Sequence, residues 1–596
     1  MYRGHTYIYF GLPLYQVLPM PVDTRTRLQY SNKVYNPLKT LTRRVLLPVY
    51  GAFFISLEFE KVMEITSKTV AIIGCGVSGL AAVKCCLDEG LQPTCIERAD
   101  DIGGLWYYRD NSEHQAMTTV YKSTITTGNK EGMCYSDFPF PKEWPNSLRH
   151  SYVKKYCDMY ADKFGLNEHI RFSTRVTRLA QAPDYETTGR WVVTTQPEGS
   201  AGSEETSQEF DAVMICTGMF NNPHIPDFPG LDVFQGKVIH SQAYRTPDEY
   251  KDKRVVVVGI GNSGGDAATD VSRLASQVYL SCRRGVWLTG RRGDNGYPFD
   301  LEVIRRYYWI PLKLKMMLLK KSIERRNKFA MASLQPSHDL LACEPQMSEQ
   351  LPDCIMNGSV VIRAGPARFI KTGLEFEDGT FEDDIDAVIM ASGYRFKIPF
   401  EVDCPALEMK DGSVPLYKLV FPLGLKHNTL SFSGAMEVLG AVIPCVELQA
   451  RWAARVFKGL AKLPSQLEMQ AEVTMTDELM KKSFLPPHRH VGAVAYGDSI
   501  ATEIGARPNF LKLFFTHPVL TLRCLFGPHV PYVYRLTGPG KTEEAKKAIN
   551  TVWERVLAPT VTRRVEVKRE SSPLAFQFLC LSIVASVTAI LFVQFW

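Results

Sequence analysis

The sequence lacks several features that would place it in a specialised class of protein. Its fourteen cysteines include no C-x-x-C pair and no Cys/His cluster, so we expect reduced, mostly buried thiols and no metal site. The net charge of +6 is too small to indicate nucleic-acid binding, and no dense basic run contains interleaved aromatic residues. No solenoid-type repeat is present. The remaining composition, with 45% hydrophobic and 22% charged residues over 596 positions, is typical of a globular protein with two or more domains.

The stretch from Thr69 to Glu97 has the order of a dinucleotide-binding unit. Val70 to Ile73 is a β-branched apolar run typical of a buried parallel strand, and a helix is predicted from Leu80 to Gly90. The intervening G-x-G-x-x-G allows a tight turn and close approach of a pyrophosphate, and the acid that ends the second strand suits a ribose. The predicted contact residues are Gly74, Gly76, Val77, Ser78, Gly79 and Glu97.

A Gly-Gly pair, Gly103-Gly104, follows this unit. Gly104 lets the backbone pass close to a large ligand, and Leu105 and Trp106 either cover an aromatic ring or pack in the core.

A second unit of the same kind begins at Arg254. A strand leads into Gly259-Ile-Gly-Asn-Ser-Gly264, and a helix follows from Asp266 to Ala275. Its next strand ends without an acid, and Arg283 and Arg284 follow that strand. Two arginines at this place suit the 2′-phosphate of NADPH; the alternative is a basic pair on the surface. The predicted NADPH contacts are Gly259, Gly261, Asn262, Ser263, Gly264, Arg283 and Arg284. The first unit has a Glu at the ribose position and the second has Arg residues there. This pairing predicts a flavoprotein that binds FAD in the first unit and NADPH in the second.

The two ends of the chain differ from this core. Residues 1–68 are not expected to belong to the fold. Their apolar stretch from Val45 to Leu57 is either an anchor-like segment or part of a dispensable leader. Pro573 to Trp596 carries no charge and, at roughly 1.5 Å per residue, is long enough to span a bilayer. Basic residues just upstream predict a membrane anchor with the large domain in the cytosol, the alternative being a buried helix.

The sequence therefore predicts an α/β fold in which an FAD domain is interrupted by a smaller NADPH domain and followed by a C-terminal transmembrane helix. The predicted division is an N-terminal extension (1–68), the first part of the FAD domain (69–222), the NADPH domain (223–339), the second part of the FAD domain (340–520), a helical region with a linker (521–572) and the anchor (573–596).

Between the two units lies Phe234-x-Gly-x-x-x-His240-x-x-x-Tyr244, and with it the chain resembles the flavin-containing monooxygenases of the dimethylaniline N-oxidising type. Asp101-Ile-Gly-Gly-Leu-Trp106, Asp137-Phe-Pro-Phe-Pro141 and Glu447-Leu-Gln-Ala-Arg-Trp452 are similar to segments of that family. The resemblance covers residues 68 to 596. It also implies an endoplasmic-reticulum membrane location, and it leaves a homo-oligomer open. His240 and Tyr244 are interpreted as core residues at a domain joint.

The resemblance implies the chemistry. NADPH reduces FAD, the flavin takes up O₂ as a C4a-hydroperoxide, and a soft nitrogen or sulfur nucleophile takes one oxygen atom. FAD is expected along the first glycine motif, Glu97, Leu105, Trp106 and the loop Thr126-Thr127-Gly128. The protein then supplies a dry site and substrate access.

One position departs from the family pattern. Thr127 stands where the family usually has an Asn thought to stabilise the peroxide, and Asn129 is the nearest amide that could substitute for it. A hydroxyl donates one hydrogen and an amide two. This difference leaves two alternatives to N- and S-oxygenation: an enzyme that releases hydrogen peroxide or oxygenates ketones, and a membrane-tethered binding protein without turnover.

Overall fold

The computed structural model describes residues 67–110, 117–199, 204–302, 305, 310–340, 344–409, 414–482 and 490–563. The predicted N-terminal extension, except for its last two residues, and the whole predicted anchor from Pro573 to Trp596 lie outside these residues. Within them, no helix combines the length and the apolar character that crossing a membrane requires.

The strands of the described residues are numbered in chain order. They are β1 Thr69–Ile73, β2 Gln92–Ile96, β3 Ile170–Arg171, β4 Thr174–Gln181, β5 Trp191–Pro197, β6 Thr206–Phe210, β7 Ala212–Ile215, β8 Lys237–His240, β9 Arg254–Val258, β10 Gln277–Ser281, β11 Leu288–Thr289, β12 Gln346–Met347, β13 Val360–Arg363, β14 Pro366–Phe369, β15 Leu374–Phe376, β16 Phe381–Glu382, β17 Ala387–Met390, β18 Glu401–Asp403, β19 Leu416–Tyr417, β20 Phe421–Pro422, β21 Leu430–Phe432, β22 Glu437–Leu439 and β23 His490–Gly492.

The α-helices are numbered in the same way. They are α1 Val77–Asp88, α2 Lys130–Met133, α3 His150–Phe164, α4 Tyr185–Thr188, α5 Asn262–Val271, α6 Leu312–Leu334, α7 Leu351–Met356, α8 Val442–Lys458, α9 Gln466–Lys482, α10 Ala493–Ile504, α11 Phe510–Thr516, α12 Pro518–Phe526, α13 Glu543–Asn550 and α14 Val552–Leu557.

Two parallel five-stranded sheets carry the two glycine motifs. The first has the order β21-β7-β1-β2-β3, and the second has the order β13-β10-β9-β17-β8. In each sheet the strand before the glycine motif, β1 or β9, lies in the middle and is buried along almost all of its length. Apolar runs form such strands because helices and loops cover both faces of a parallel sheet. The prediction of an α/β fold with two Rossmann-like units is confirmed.

The strand pairing corrects the predicted domain boundary at residue 340. β13 and β17 belong to the second sheet, with β17 between β9 and β8, and the chain returns to the first sheet only at β21. The buried Ala387–Met390 run therefore completes the NADPH unit, because a parallel sheet needs a hydrogen-bonded neighbour on each side of its central strands. The boundary predicted at residue 521 falls inside α12.

The C-terminal helices complete the core of the first unit. Helix α1 packs against α8, which is buried along most of its length and which also contacts α10. This packing fixes α1, and with it the first glycine motif, at the carboxyl edge of the first sheet.

Candidate functional site

The first glycine motif forms a tight turn between β1 and α1. Gly74 has a φ of +97°, which side chains other than glycine rarely adopt. A Cβ on Gly79 would lie 1.9 Å from the Gly74 carbonyl oxygen, so only glycine lets the helix start this close to the strand. Gly76 is the N-cap of α1 and supplies no side-chain cap, which leaves the first-turn N–H groups at Val77 and Ser78 available to phosphate oxygens.

Glu97 lies beside this turn because β1 and β2 pair in parallel. Its carboxylate accepts hydrogen bonds from the backbone N–H of Cys75 at 2.5 Å and of Ala99 at 2.8 Å. Each carboxylate oxygen has a further lone pair, so both can also accept from ribose hydroxyls. The predicted acid and glycine turn are therefore in contact.

The segment after Glu97 crosses over the glycine turn. Gly104 has a φ of +53°, and a Cβ on it would lie 2.9 Å from the Cα of Gly76. The backbone N–H of Gly103 donates to the Cys75 carbonyl at 3.0 Å. Leu105 and Trp106 follow in a single 3-10 turn and are half-buried, and Trp106 packs against the first core. Gly104 and Gly76 thus form one cradle, in which the backbone can approach a ligand closely.

The second glycine motif repeats the geometry between β9 and α5. A Cβ on Gly259 would lie 2.5 Å from the Ala391 carbonyl oxygen, and one on Gly264 would lie 1.9 Å from the Gly259 carbonyl oxygen. Among the described residues, nothing lies within 4 Å of a Cβ placed on Gly261. The turn is therefore open on the side where a pyrophosphate would approach.

The other predicted NADPH residues surround this opening. The Asn262 side-chain oxygen accepts from the backbone N–H of Met347 at 2.9 Å, and Ser263 is exposed in the first turn of α5. Arg283 and Arg284 directly follow β10 and are exposed. Neither forms an ion pair with any carboxylate of the described residues, so both guanidinium groups are free to bind a 2′-phosphate.

The loop with the predicted catalytic position lies between the two units. Thr126 is buried: its hydroxyl donates to the Gly128 carbonyl at 2.9 Å and accepts from the Leu148 N–H at 2.9 Å. Thr127 is exposed, and its side chain makes no hydrogen bond within the described part of the chain. The two threonines therefore have different roles: Thr126 fixes the loop and Thr127 faces outward.

Asn129 caps helix α2 at the end of the same loop. Its side-chain oxygen accepts from the N–H groups of Glu131 and Gly132 at 2.8 and 3.2 Å, and its side-chain nitrogen is buried without a partner among the described residues. The capping bonds use the amide oxygen and leave the amide nitrogen as a donor, so the role of Asn129 as a substitute for Thr127 stays a prediction.

Two residues that sequence reasoning missed hold this loop. Arg291 donates to the carbonyls of Thr126 at 3.0 Å and Ile125 at 3.3 Å, and Asp300 accepts from the Asn129 N–H at 2.7 Å. Burial raises the pKa of the Asp300 carboxyl. Both come from the segment after the second motif, far from the loop in sequence, and the charged run Arg291-Arg292-Gly-Asp294 was the one available signal.

Hydroxyl–carboxylate bonds join the same region to α5. Tyr121 donates to Asp266 at 2.5 Å, and Ser123 and Tyr244 both donate to Asp270, at 2.7 and 2.9 Å. Burial raises the pKa of the Asp266 carboxyl. The helix that starts at the NADPH turn is thereby connected to the loop that contains Thr127.

His240 lies at the same joint and is buried. Its ring Nδ1 accepts from the Gln242 N–H at 3.1 Å, and its Nε2 lies 3.0 Å from the Gly393 carbonyl oxygen. Burial lowers its pKa. His240 and Tyr244 thus bond to protein groups on both sides, which agrees with their interpretation as joint residues.

Comparison with known proteins identifies the family. The sequence model described as "FMO-like: Flavin-binding monooxygenase-like" matches residues 67–595. Flavin-containing monooxygenase 5 of Rattus norvegicus is 45% identical over 515 residues, which is 85% of this chain and 95% of the relative. The chain belongs to this family. Human dimethylaniline monooxygenase [N-oxide-forming] 4 is 41% identical to this flavin-binding monooxygenase over 508 residues, 84% of this chain and 90% of the relative.

Solved structures agree with the fold of the flavin-binding monooxygenases. S-allyl-L-cysteine S-oxygenase from Allium sativum superposes with a TM-score of 0.57 at 23% identity, over 82% of this chain and 99% of that one. Cyclohexanone monooxygenase from Rhodococcus sp. Phi1 bound to NADP⁺ superposes with a TM-score of 0.55 at 16% identity, over 74% and 97%. Identities this low show the shared fold alone.

The residues present fit the two cofactors of a flavin-binding monooxygenase. The cradle of Gly76 and Gly104, the free first-turn N–H groups and Glu97 fit FAD, and the open turn at Gly261 with two unpaired arginines fits NADPH. The enzyme is a flavin monooxygenase that uses FAD and NADPH with O₂ and small substrates.

Proposed function

We propose that the enzyme transfers one oxygen atom of O₂ to soft nitrogen or sulfur nucleophiles, by the hydroperoxide route that the sequence resemblance implies. Bound FAD, reduced by NADPH, supplies the activated oxygen. One observation carries the proposal: the loop with Thr127 is held at the junction of the two dinucleotide units by Arg291 and Asp300. The name of a relative at 41% identity, which specifies N-oxide formation, supports the nitrogen substrates.

The roles of the side chains follow from their contacts. Glu97 orients a ribose, and the first turn of α1 binds the pyrophosphate. Thr126 and Asn129 fix the loop backbone through their own hydrogen bonds. Thr127 is exposed and has no partner among the described residues, so its hydroxyl is free to donate to a cofactor or a substrate.

A second candidate activity rests on that residue. A threonine hydroxyl donates a single hydrogen, whereas an amide donates two. This difference favours partial release of hydrogen peroxide in place of oxygen transfer.

One experiment decides between these activities. The purified full chain is given NADPH with and without N,N-dimethylaniline or a thioether, and NADPH loss, oxygenated product and hydrogen peroxide are measured together. We expect product to rise and peroxide to fall when substrate is added. Peroxide equal to the NADPH consumed, whether or not substrate is present, would establish the oxidase and reject the proposal.

We further propose that the enzyme is anchored in the endoplasmic-reticulum membrane with its catalytic domain in the cytosol. The uncharged run from Pro573 to Trp596 and the basic residues before it support this location. Truncation after Ser572 is expected to move the protein into the soluble fraction with its flavin retained. A truncated protein that stays in the membrane fraction would contradict the anchor and implicate the stretch from Val45 to Leu57.

A further inference from the structure

A cavity lined largely by charged side chains lies at the opposite end of α1 from the glycine motif. It has a volume of about 520 Å³. Lys84 and Asp88 from the last turns of α1 line it, with Arg451 and Arg455 of α8 and the segment from Arg535 to Glu544. Helix α1 rises about 1.5 Å per residue, so the cavity is roughly 15 Å from the predicted pyrophosphate. It is therefore separate from the two dinucleotide sites.

The cavity has more cations than its carboxylates neutralise. Six cationic side chains line it: Lys84, Lys163, Arg451, Arg455, Arg535 and Lys541. Three of these pair with carboxylates: Lys84 with Asp88 and Asp137, Arg455 with Glu89, and Arg535 with Asp137 and Glu447. Arg451, Lys163 and Lys541 form no ion pair with any described residue. The one lining carboxylate that is likewise unpaired, Glu544, is exposed.

Arg451 is the most informative of the three unpaired cations. It is only 6% exposed, and its guanidinium donates to backbone carbonyls alone, those of Tyr534 at 3.3 and 3.4 Å and Pro539 at 3.0 Å. Burial and the neighbouring Arg535 guanidinium lower its pKa. Glu447 and Asp137 raise the pKa without forming an ion pair with Arg451, so an anion or ordered water in the cavity would stabilise this buried cation further.

The backbone is shaped to bring two guanidinium groups to this cavity. Gly540 has a φ of +69°, and a Cβ on it would lie 2.4 Å from the Arg535 Nη1 and 3.8 Å from the Arg451 Nη2. Asp137 adds a different feature, because its Oδ1 is buried without a hydrogen-bond partner among the described residues. The cavity thus offers cationic donors for an anion and one acceptor for a hydroxyl.

We propose that this cavity binds the phosphate monoester of a polyhydroxylated molecule, either a soluble sugar or inositol phosphate or the headgroup of an inositol phospholipid. A phosphate monoester carries a charge of about −1.5 to −2 and matches the fork of a guanidinium, which suits Arg451 with the rim residues Lys163 and Lys541. A ligand hydroxyl donates to Asp137 Oδ1. The volume accommodates the polyol beside the phosphate.

The experiment uses the FAD-loaded full chain in detergent with saturating NADP⁺, which occupies the other phosphate-binding site. Inositol 1-phosphate, dioctanoyl phosphatidylinositol 4-phosphate and unphosphorylated inositol are titrated by calorimetry. We expect saturable binding of a phosphorylated probe and none of inositol. The tighter of the two phosphorylated probes identifies the soluble or the lipid source. Absence of saturable binding for both of them would overturn the proposal.

Two variants localise the binding. Lys163→Ala/Lys541→Ala changes exposed side chains only and is expected to raise the dissociation constant at least about tenfold, while the exposed control pair Lys251→Ala/Lys371→Ala changes it less than about twofold. Arg451→Gln is expected to abolish binding. If Arg451→Gln does not fold, as judged by its flavin content, the lysine pair decides alone. Equal affinities in the lysine variant and its control would reject the site.

Discussion

The two dinucleotide units share a glycine motif and differ in what lies over it. In the first, Gly104 passes so close to Gly76 that a Cβ on Gly104 would lie 2.9 Å from the Gly76 Cα, whereas among the described residues nothing covers Gly261 in the second. The same turn chemistry thus gives one site that the chain itself closes and one that is open. A closed site suits a cofactor that remains bound over many turnovers, and an open site suits one that enters and leaves as a substrate.

The charged residues of the two units show the same contrast between a closed and an open site. Glu97 is fixed by two backbone N–H groups, while Arg283 and Arg284 are exposed and unpaired among the described residues. A fixed acid orients a neutral ribose, and exposed guanidinium groups attract a phosphate from solution. Four experiments test this contrast and the junction between the two units.

The largest effect is expected from a methyl group in either turn. Gly76 and Gly261 have φ values of −74° and −65°, which alanine adopts without strain. Gly76→Ala is expected to fold and lose FAD, because its methyl group occupies the approach of the pyrophosphate at a cost of about 1–3 kcal/mol, or roughly tenfold to a hundredfold in affinity. Gly261→Ala is its matched control and should keep FAD while NADPH affinity falls similarly. Flavin absorbance and NADPH titration measure both, and flavin loss in both variants would show that the units are not independent.

The arginine pair is expected to give the next largest effect. Arg283→Ala/Arg284→Ala should raise the KM for NADPH at least about tenfold and leave that for NADH nearly unchanged, because charge-assisted bonds to the 2′-phosphate are lost. Steady-state kinetics with the two cofactors measure the ratio. Arg368→Ala, an exposed arginine on β14, is the control. An equal rise in the KM for NADH would mean that the arginine pair has a structural role.

A smaller effect is expected from Thr127→Asn. The amide donates two hydrogens where the hydroxyl donates one, and one hydrogen bond contributes about 0.5–1.5 kcal/mol, or roughly threefold to tenfold in rate. The fraction of NADPH that ends as hydrogen peroxide should fall accordingly. Thr127→Val removes the hydroxyl and should raise that fraction. If peroxide yield is the same in all three proteins, the position does not control coupling.

The smallest effect concerns pH. Burial raises the folded-state pKa of Asp266, against the opposing influence of its Tyr121 bond and Arg291 and with a smaller contribution from Asp270. Deprotonation is then harder in the folded state, so the free energy of unfolding falls as pH rises from about 4 through the raised pKa. Asp266→Asn should therefore melt a few degrees higher than the wild type above that window and equally below it. Thermal unfolding across pH 4–8 tests this, and a constant difference would show that the bond to Tyr121, not ionisation, dominates.

The sequence predicted the two strand–turn–helix units because glycines at fixed spacing allow few other structures. It did not predict that Ala387–Met390 joins the second sheet, because this strand and Ala212–Ile215 are both short apolar runs followed by a small-residue turn. Such runs contain no information about which strand they will pair with. Likewise, Arg291 and Asp300 contact the Thr127 loop only through the tertiary fold, so a local pattern could not identify them.

The strand order has a consequence for synthesis of the chain. The edge of β7 that pairs with β21 remains unpaired until residue 432 has left the ribosome, more than two hundred residues after β7 itself. The second sheet is complete by Met390 and can form earlier. The nascent chain must therefore hold an open, apolar strand edge while a neighbouring unit folds. This interval, more than the finished structure, is where aggregation and chaperone binding are expected to concentrate.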